Sequence, residues 1–192
     1  MDTNTEKAIR ILRGGGIVIF PTDTAFGIGC RLDNEKAIRK LFELRKRPKE
    51  KAVPVLASSI EMVEDYVEHI EPDVRKLMQK YWPGGLTLVL NCRIEKVPSL
   101  VRGGDKTIGV RIPNHSTVRS LIKNVGVPIL GPSANFSGGK TPFRMSDLHP
   151  ELVRKVDFVV PGRCTIKKPS TVLDVSMKPW EILREGAVRV EL

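Results

Sequence analysis

The sequence has few of the residues that build metal or redox centres. Its three cysteines, Cys30, Cys92 and Cys164, lie far apart and form no CxxC pair, so neither a zinc ribbon nor a disulfide framework is supported. Reduced thiols in a cytosol are the simplest account. The three histidines, His69, His115 and His149, are isolated and lack metal-ligand spacing; they read as surface or packing residues. No apolar run approaches the length of a membrane span. The polar start MDTNTEKAIR lacks the apolar stretch of a signal peptide, and a cytoplasmic location is expected. No nucleophile stands beside a base, and no carboxylate pair is evident. Chemistry driven by positioning and electrostatics needs neither.

What is present fits one globular domain spanning residues 1–192, long enough for a real core and short for two. Hydrophobic residues make up 41% and charged residues 28%, which excludes a disordered chain. The formal net charge of +10 points to a polyanionic partner, a nucleic acid, a nucleotide or an anionic membrane. A basic surface that is merely solvated is the plainer alternative.

Helical periodicity runs through residues 4–13, with Asn4 as cap and a stripe of Ala8, Ile9 and Leu12 before three glycines. A second helix follows Asp33 or Asn34, and others are expected after Ser58-Ser59, from Pro72, over 116–124 and over 146–156. Strands are expected at 17–20, 53–57, 86–91, 107–112, 127–130, 156–160, 170–175, 181–184 and 187–190, with loop over 92–105. There is no repeat, low-complexity tract or linker. The interspersed pattern predicts an α/β fold, and the helix-free last strands favour a mixed sheet.

Four segments at strand ends attract chemistry. In PTDTAFGIG (21–29), Thr22 and Thr24 offer hydroxyls, and Gly27 and Gly29 permit close backbone approach; a simple strand-to-helix loop is the alternative. In RKRPKEK (45–51), Arg45, Arg47, Lys49 and Lys51 suit phosphate, or else complement a helix C-terminus. GPSANFSGGKTP (131–142) carries Ser133, Asn135, Ser137 and Thr141 among glycines and can wrap a phosphate or ribose. Its ANFSGGKT stretch looks like a P-loop, but that motif needs a helix beginning at Lys140-Thr141, where Pro142 lacks an N–H. The fourth is STVLD with ILREGAV, whose polar members Ser170 and Arg184 serve either a site or solvent. Arg47, Lys51 and Arg184 are the cations to neutralise a triphosphate, with magnesium assisting.

Taken together, PTDTAFGIG, RKRP with Lys51, GVRIP, GPSANFSG, and STVLD followed by ILREG resemble the YrdC-like family, the threonylcarbamoyl-AMP synthases, over nearly the whole chain. The resemblance implies a single domain with a twisted, mixed β-sheet, flanking helices and a concave basic cleft. It implies that threonine and bicarbonate form a carbamate, which attacks the α-phosphate of ATP to give threonylcarbamoyl-AMP and pyrophosphate. A partner transferase would then modify the adenosine beside the anticodon of tRNAs that read ANN codons, and tRNA stands as a further candidate partner. By motif, the ATP side comprises Arg45, Arg47, Lys51, Thr107, Ser133, Asn135, Thr141 and Arg184. The threonine side comprises Thr24, Leu56, Arg111, Gly131 and Ser170, with Arg111 pairing the substrate carboxylate. ATP is the nucleotide substrate and Mg2+ its expected companion.

Three positions depart from the family pattern. Arg45 stands where lysine is usual, Phe26 where tyrosine is common, and Leu56 where many members have histidine. Two rivals remain: a paralogue of the same fold that binds RNA without making the adenylate, and carbamoyl transfer in hydrogenase maturation. The missing cysteine pairs and missing extra domains weigh against the second.

Overall fold

The computed structural model describes residues 2–191. The first helix, α1 (Thr3–Arg13), buries Thr5, Ala8, Ile9 and Leu12 along one stripe. Its cap is Asp2 rather than the expected Asn4. The Asp2 carboxylate accepts from the N–H groups of Asn4 and Thr5 at 3.0 Å, satisfying donors that the helix cannot. The second, α2 (Glu35–Leu44), starts at Asn34, whose side chain accepts from Ala37 N at 3.0 Å, and buries Ala37, Ile38, Leu41 and Phe42. The helix α6 (Ser116–Val125) packs Val118, Leu121 and Ile122 against Ala8 and Leu12 of α1. Each buried Leu, Ile or Val among these contributes about 1.5–3 kcal/mol of transfer free energy.

The remaining helices are α3 (Ile60–Glu64), α4 (Pro72–Tyr81), α5 (Ser99–Arg102) and α7 (Pro150–Lys155). Two expectations change here. The stretch 92–105 contains the short α5, and the helix expected over 146–156 is a 3-10 turn, Met145–Asp147, followed by α7. Pro150 lacks an N–H and disfavours helix at the residue before it, so the chain breaks and restarts there.

Strands form two sheets rather than one. The smaller has β1 (Val18–Phe20) at its centre, antiparallel to β2 (Gly27–Gly29) and parallel to β7 (Phe158–Val159). The larger runs β6 (Ile129–Leu130), β3 (Val55–Leu56), β5 (Thr107–Arg111), β4 (Leu86–Asn91), β8 (Thr171–Asp174), β9 (Glu181–Arg184). It is mixed: β3–β5 and β4–β8 are parallel, the other pairs antiparallel. The two sheets meet at β2 and β6. Leu130 N donates to Cys30 O at 2.9 Å, Ile28 N donates to Pro132 O at 2.9 Å, and single bridges join Gly27 to Ser133 and Arg31 to Ile129. A Cβ on Gly29 would lie 2.0 Å from the Leu130 carbonyl oxygen, so only glycine lets the sheets approach this closely.

The strand expected at 187–190 does not form. Val188 bonds instead to the Thr171 side chain, which donates to Val188 O at 2.5 Å and accepts from Val188 N at 3.2 Å. Conversely β2, inside the expected 21–29 loop, was not anticipated. Among the described residues no helix is long and apolar enough to cross a membrane.

Candidate functional site

One cavity lies where the two sheets meet. Its walls come from the loop after β1, the turn after α2, β3, the end of β5, the loop after β6, and the start of β8 with the end of β9. Four arginines line it, Arg45, Arg47, Arg111 and Arg184, with the hydroxyls of Thr22, Thr24, Thr87, Ser133, Thr141 and Ser170. Pro54, Leu56, Phe26 and Gly131 supply apolar wall, and no aspartate or glutamate is part of the lining. A Cβ on Gly131 would fall 2.3 Å from Leu56 Cγ, so this glycine makes room for the leucine.

Arg45 follows the last residue of α2 and is only 2% exposed. Its Nε donates to Asn135 O at 3.0 Å, and Ser137 N returns a bond to Arg45 O at 2.8 Å. Its Nη1 has no protein partner. Burial, then the neighbouring Arg47 charge, brings its pKa down to about 10, which leaves it a cation at neutral pH. A buried guanidinium with a free donor and no carboxylate is the environment of an anion-binding group. Arg47 is partly buried, donating through Nε to Lys51 O at 3.0 Å and through Nη2 to Ala52 O.

Arg111, at the end of β5, is 5% exposed and differently placed. Nη1 donates to Asp23 Oδ1 at 2.8 Å and to Gly84 O at 3.3 Å, while Nη2 donates to Thr22 Oγ1 at 3.1 Å. Burial pulls its pKa down, and the Asp23 charge opposes that. Arg184, at the rim, clasps Ser170 through Nε to the carbonyl and Nη2 to the hydroxyl, both at 3.0 Å. The Ser170 and Thr87 hydroxyls are 2.8 Å apart.

Ten of the thirteen residues anticipated from sequence therefore line one cavity: Arg45, Arg47, Ser133, Thr141, Arg184, Thr24, Leu56, Arg111, Gly131 and Ser170. Lys51, Thr107 and Asn135 do not. Lys51 is exposed and touches Arg47 through its backbone carbonyl. Thr107 stands at the other end of β5, about 13 Å from Arg111 at the usual strand rise. Asn135 works from behind: its carbonyl seats Arg45, its Oδ1 accepts from Ser133 Oγ, and its Nδ2 staples the loop through Phe136 O and Gly139 O, both at 2.8 Å. No helix starts at Lys140, so the P-loop reading falls. Sequence reasoning missed Thr87 and Asp23. Thr87 sits in an apolar strand, and Asp23, between two threonines, looks like a turn residue.

Cations and hydroxyls facing an acid-free cavity at strand ends make chemistry suited to an anion, in an α/β protein. The chain belongs to the Sua5/YciO/YrdC family, whose profile, described as "Telomere recombination", matches residues 10–186. It is 32% identical to a threonylcarbamoyl-AMP synthase of Bacillus subtilis, over 99% of this chain and 55% of that protein. The crystal structure of Pyrococcus abyssi Sua5 complexed with L-threonine superposes with a TM-score of 0.88 at 33% identity, over 95% of this chain and 54% of that one. For E. coli YciO the TM-score is 0.84 at 27% identity, over 95% of this chain and 88% of that one. The chain thus spans about half the length of the Bacillus and Pyrococcus relatives.

Proposed function

We propose that this chain carries threonylcarbamoyl-AMP synthase activity. The observation that carries the reading is the convergence of Arg45, Arg47, Arg111 and Arg184, from three separate segments, on one cavity without a lining carboxylate. The threonine amine and bicarbonate condense with loss of water to a carbamate. A carbamate oxygen bonds to the α-phosphorus of ATP, the bond from that phosphorus to the β-phosphate bridging oxygen breaks, and pyrophosphate leaves. Arg45 and Arg47 hold the triphosphate and stabilise the charge that accumulates on departing pyrophosphate. Fixed cations in a partly dry site do this without reorganising. Ser133, Thr141 and Arg184 orient the nucleotide. Arg111 offers its remaining N–H groups to the threonine carboxylate, while Thr24, Ser170, Leu56 and Gly131 shape the threonine end.

The residues do not fit a protein-held metal. Among the described residues no three His, Cys, Asp or Glu side chains are grouped to hold one. Magnesium in this reading arrives on the ATP phosphates, as part of the substrate. The positive charge outside the cavity is available to a transferase partner or to tRNA, in the cytoplasm.

The test is incubation with ATP, bicarbonate, magnesium and L-threonine. Threonine-dependent pyrophosphate release, with threonylcarbamoyl-AMP detected by mass, is expected. Folded protein that releases none sinks the reading, and tight RNA binding with a steep salt slope in its place favours the RNA-binding paralogue.

A further inference from the structure

Arg111 reaches the cavity from a buried position that leaves its guanidinium no freedom. Three of its five N–H groups are held by the protein, by Asp23 Oδ1, Gly84 O and Thr22 Oγ1, which leaves two for a ligand. Of those three acceptors only Asp23 carries charge. Asp23 does not line the cavity and is 2% exposed, so it meets no substrate itself. Its Oδ2 has no protein partner, and Arg111 is the one ion pair it makes among the described residues.

Asp23 is in turn held from behind. Its carbonyl oxygen accepts from Thr165 N at 3.1 Å and Ile166 N at 2.7 Å, in the loop that precedes β8. The preceding Thr22 hydroxyl is fixed by the Ala25 carbonyl at 2.7 Å and the Thr24 and Ala25 N–H groups at 3.2 Å. Backbone on both sides therefore sets where the carboxylate stands, and the carboxylate sets where the guanidinium points. A planar fork binds a carboxylate well only when its plane and edge are both correct.

We propose that Asp23 is a positioning residue for the substrate carboxylate. It acts through Arg111, aiming the two unclaimed N–H groups into the cavity and offsetting the arginine's charge, without touching the substrate. This rests on the proposed function, in which Arg111 takes the threonine carboxylate.

The experiment compares wild type with Asp23→Asn, which keeps the shape and removes the charge, in threonine-dependent pyrophosphate release. Threonine binding by calorimetry is measured alongside. A roughly tenfold rise in KM for threonine is expected, with KM for ATP changed less than about twofold, the split that follows when one anchor of one substrate is misaligned. In an Arg111→Ala background, Asp23→Asn should add less than about twofold, because the residue it positions is gone. Asp23→Glu, with its charge kept but displaced, should impair threonine binding as well. Threonine KM and affinity unchanged in Asp23→Asn overturn the proposal. So does an equal rise for ATP, or a full additional loss on top of Arg111→Ala. Wild-type protein that neither binds threonine nor releases pyrophosphate overturns the proposed function and takes this inference with it. Active wild type with an indifferent Asp23→Asn overturns this inference alone.

Discussion

Arg45 and Arg111 are both buried and both line the cavity, yet their electrostatics are opposite. Arg111 is locked by a buried carboxylate and two neutral oxygens. Arg45 has one backbone carbonyl, an unpartnered Nη1 and a second cation beside it. Removing the partner of a buried ion strands a charge, whereas removing an unpaired buried cation relieves one. One end of the cavity is therefore electrically compensated within the protein and offers geometry. The other is held by the fold at a cost and offers uncompensated charge. A triphosphate suits the second, and a single carboxylate the first.

Mutations can break that comparison. The largest effect expected is from Arg111→Ala, which leaves Asp23 buried and unpaired: a loss of about 3–5 kcal/mol of stability, read as a lower urea midpoint at unchanged slope. A loss below about 1 kcal/mol would mean that the pair does not anchor the fold. Arg45→Ala should change stability by about 1 kcal/mol or less, because relief of desolvation offsets one lost hydrogen bond. It should nonetheless raise KM for ATP about 10- to 100-fold, the worth of a charge-assisted phosphate contact.

Smaller changes sharpen the division within the basic loop. Arg47→Ala should weaken ATP binding about tenfold, and Lys51→Ala only about two- to threefold, since Lys51 meets Arg47 through its main chain. The reverse order, measured by nucleotide titration, would place the second phosphate cation at Lys51. Lys140→Ala should leave ATP affinity within about twofold, given its exposed position on a helix-free loop.

Much of this molecule is legible in its sequence because the signals are local. The stripe Ala8, Ile9, Leu12 and the alternation in Thr107–Arg111 reflect helix and strand periods. The segments around Arg45, Ser133 and Ser170 are marked by residue types that suit phosphate and hydroxyl contacts. What escaped depends on partners outside the segment itself. The Gly-Ile-Gly of β2 lacks strand propensity and forms because Phe20, Ile19 and Val18 supply a neighbour. The stretch 187–190 alternates as a strand does, but at Val188 the Thr171 hydroxyl takes the place of a strand partner. Asp23 acquires its meaning from Arg111, 88 positions along the chain.

The close meeting of β2 and β6 also bears on the thiols. Cys30 is fully buried directly beside the join, where its carbonyl accepts from Leu130 N. Burial, with the Asp33 charge adding to it, pushes its pKa up to about 12, and burial likewise raises Cys92 and Cys164. Such sulfurs are shielded from alkylating reagents and oxidants until the structure around them opens. The rate at which Cys30 is labelled is thus a clock on the parting of the two sheets, and a substrate that bridges them should slow it.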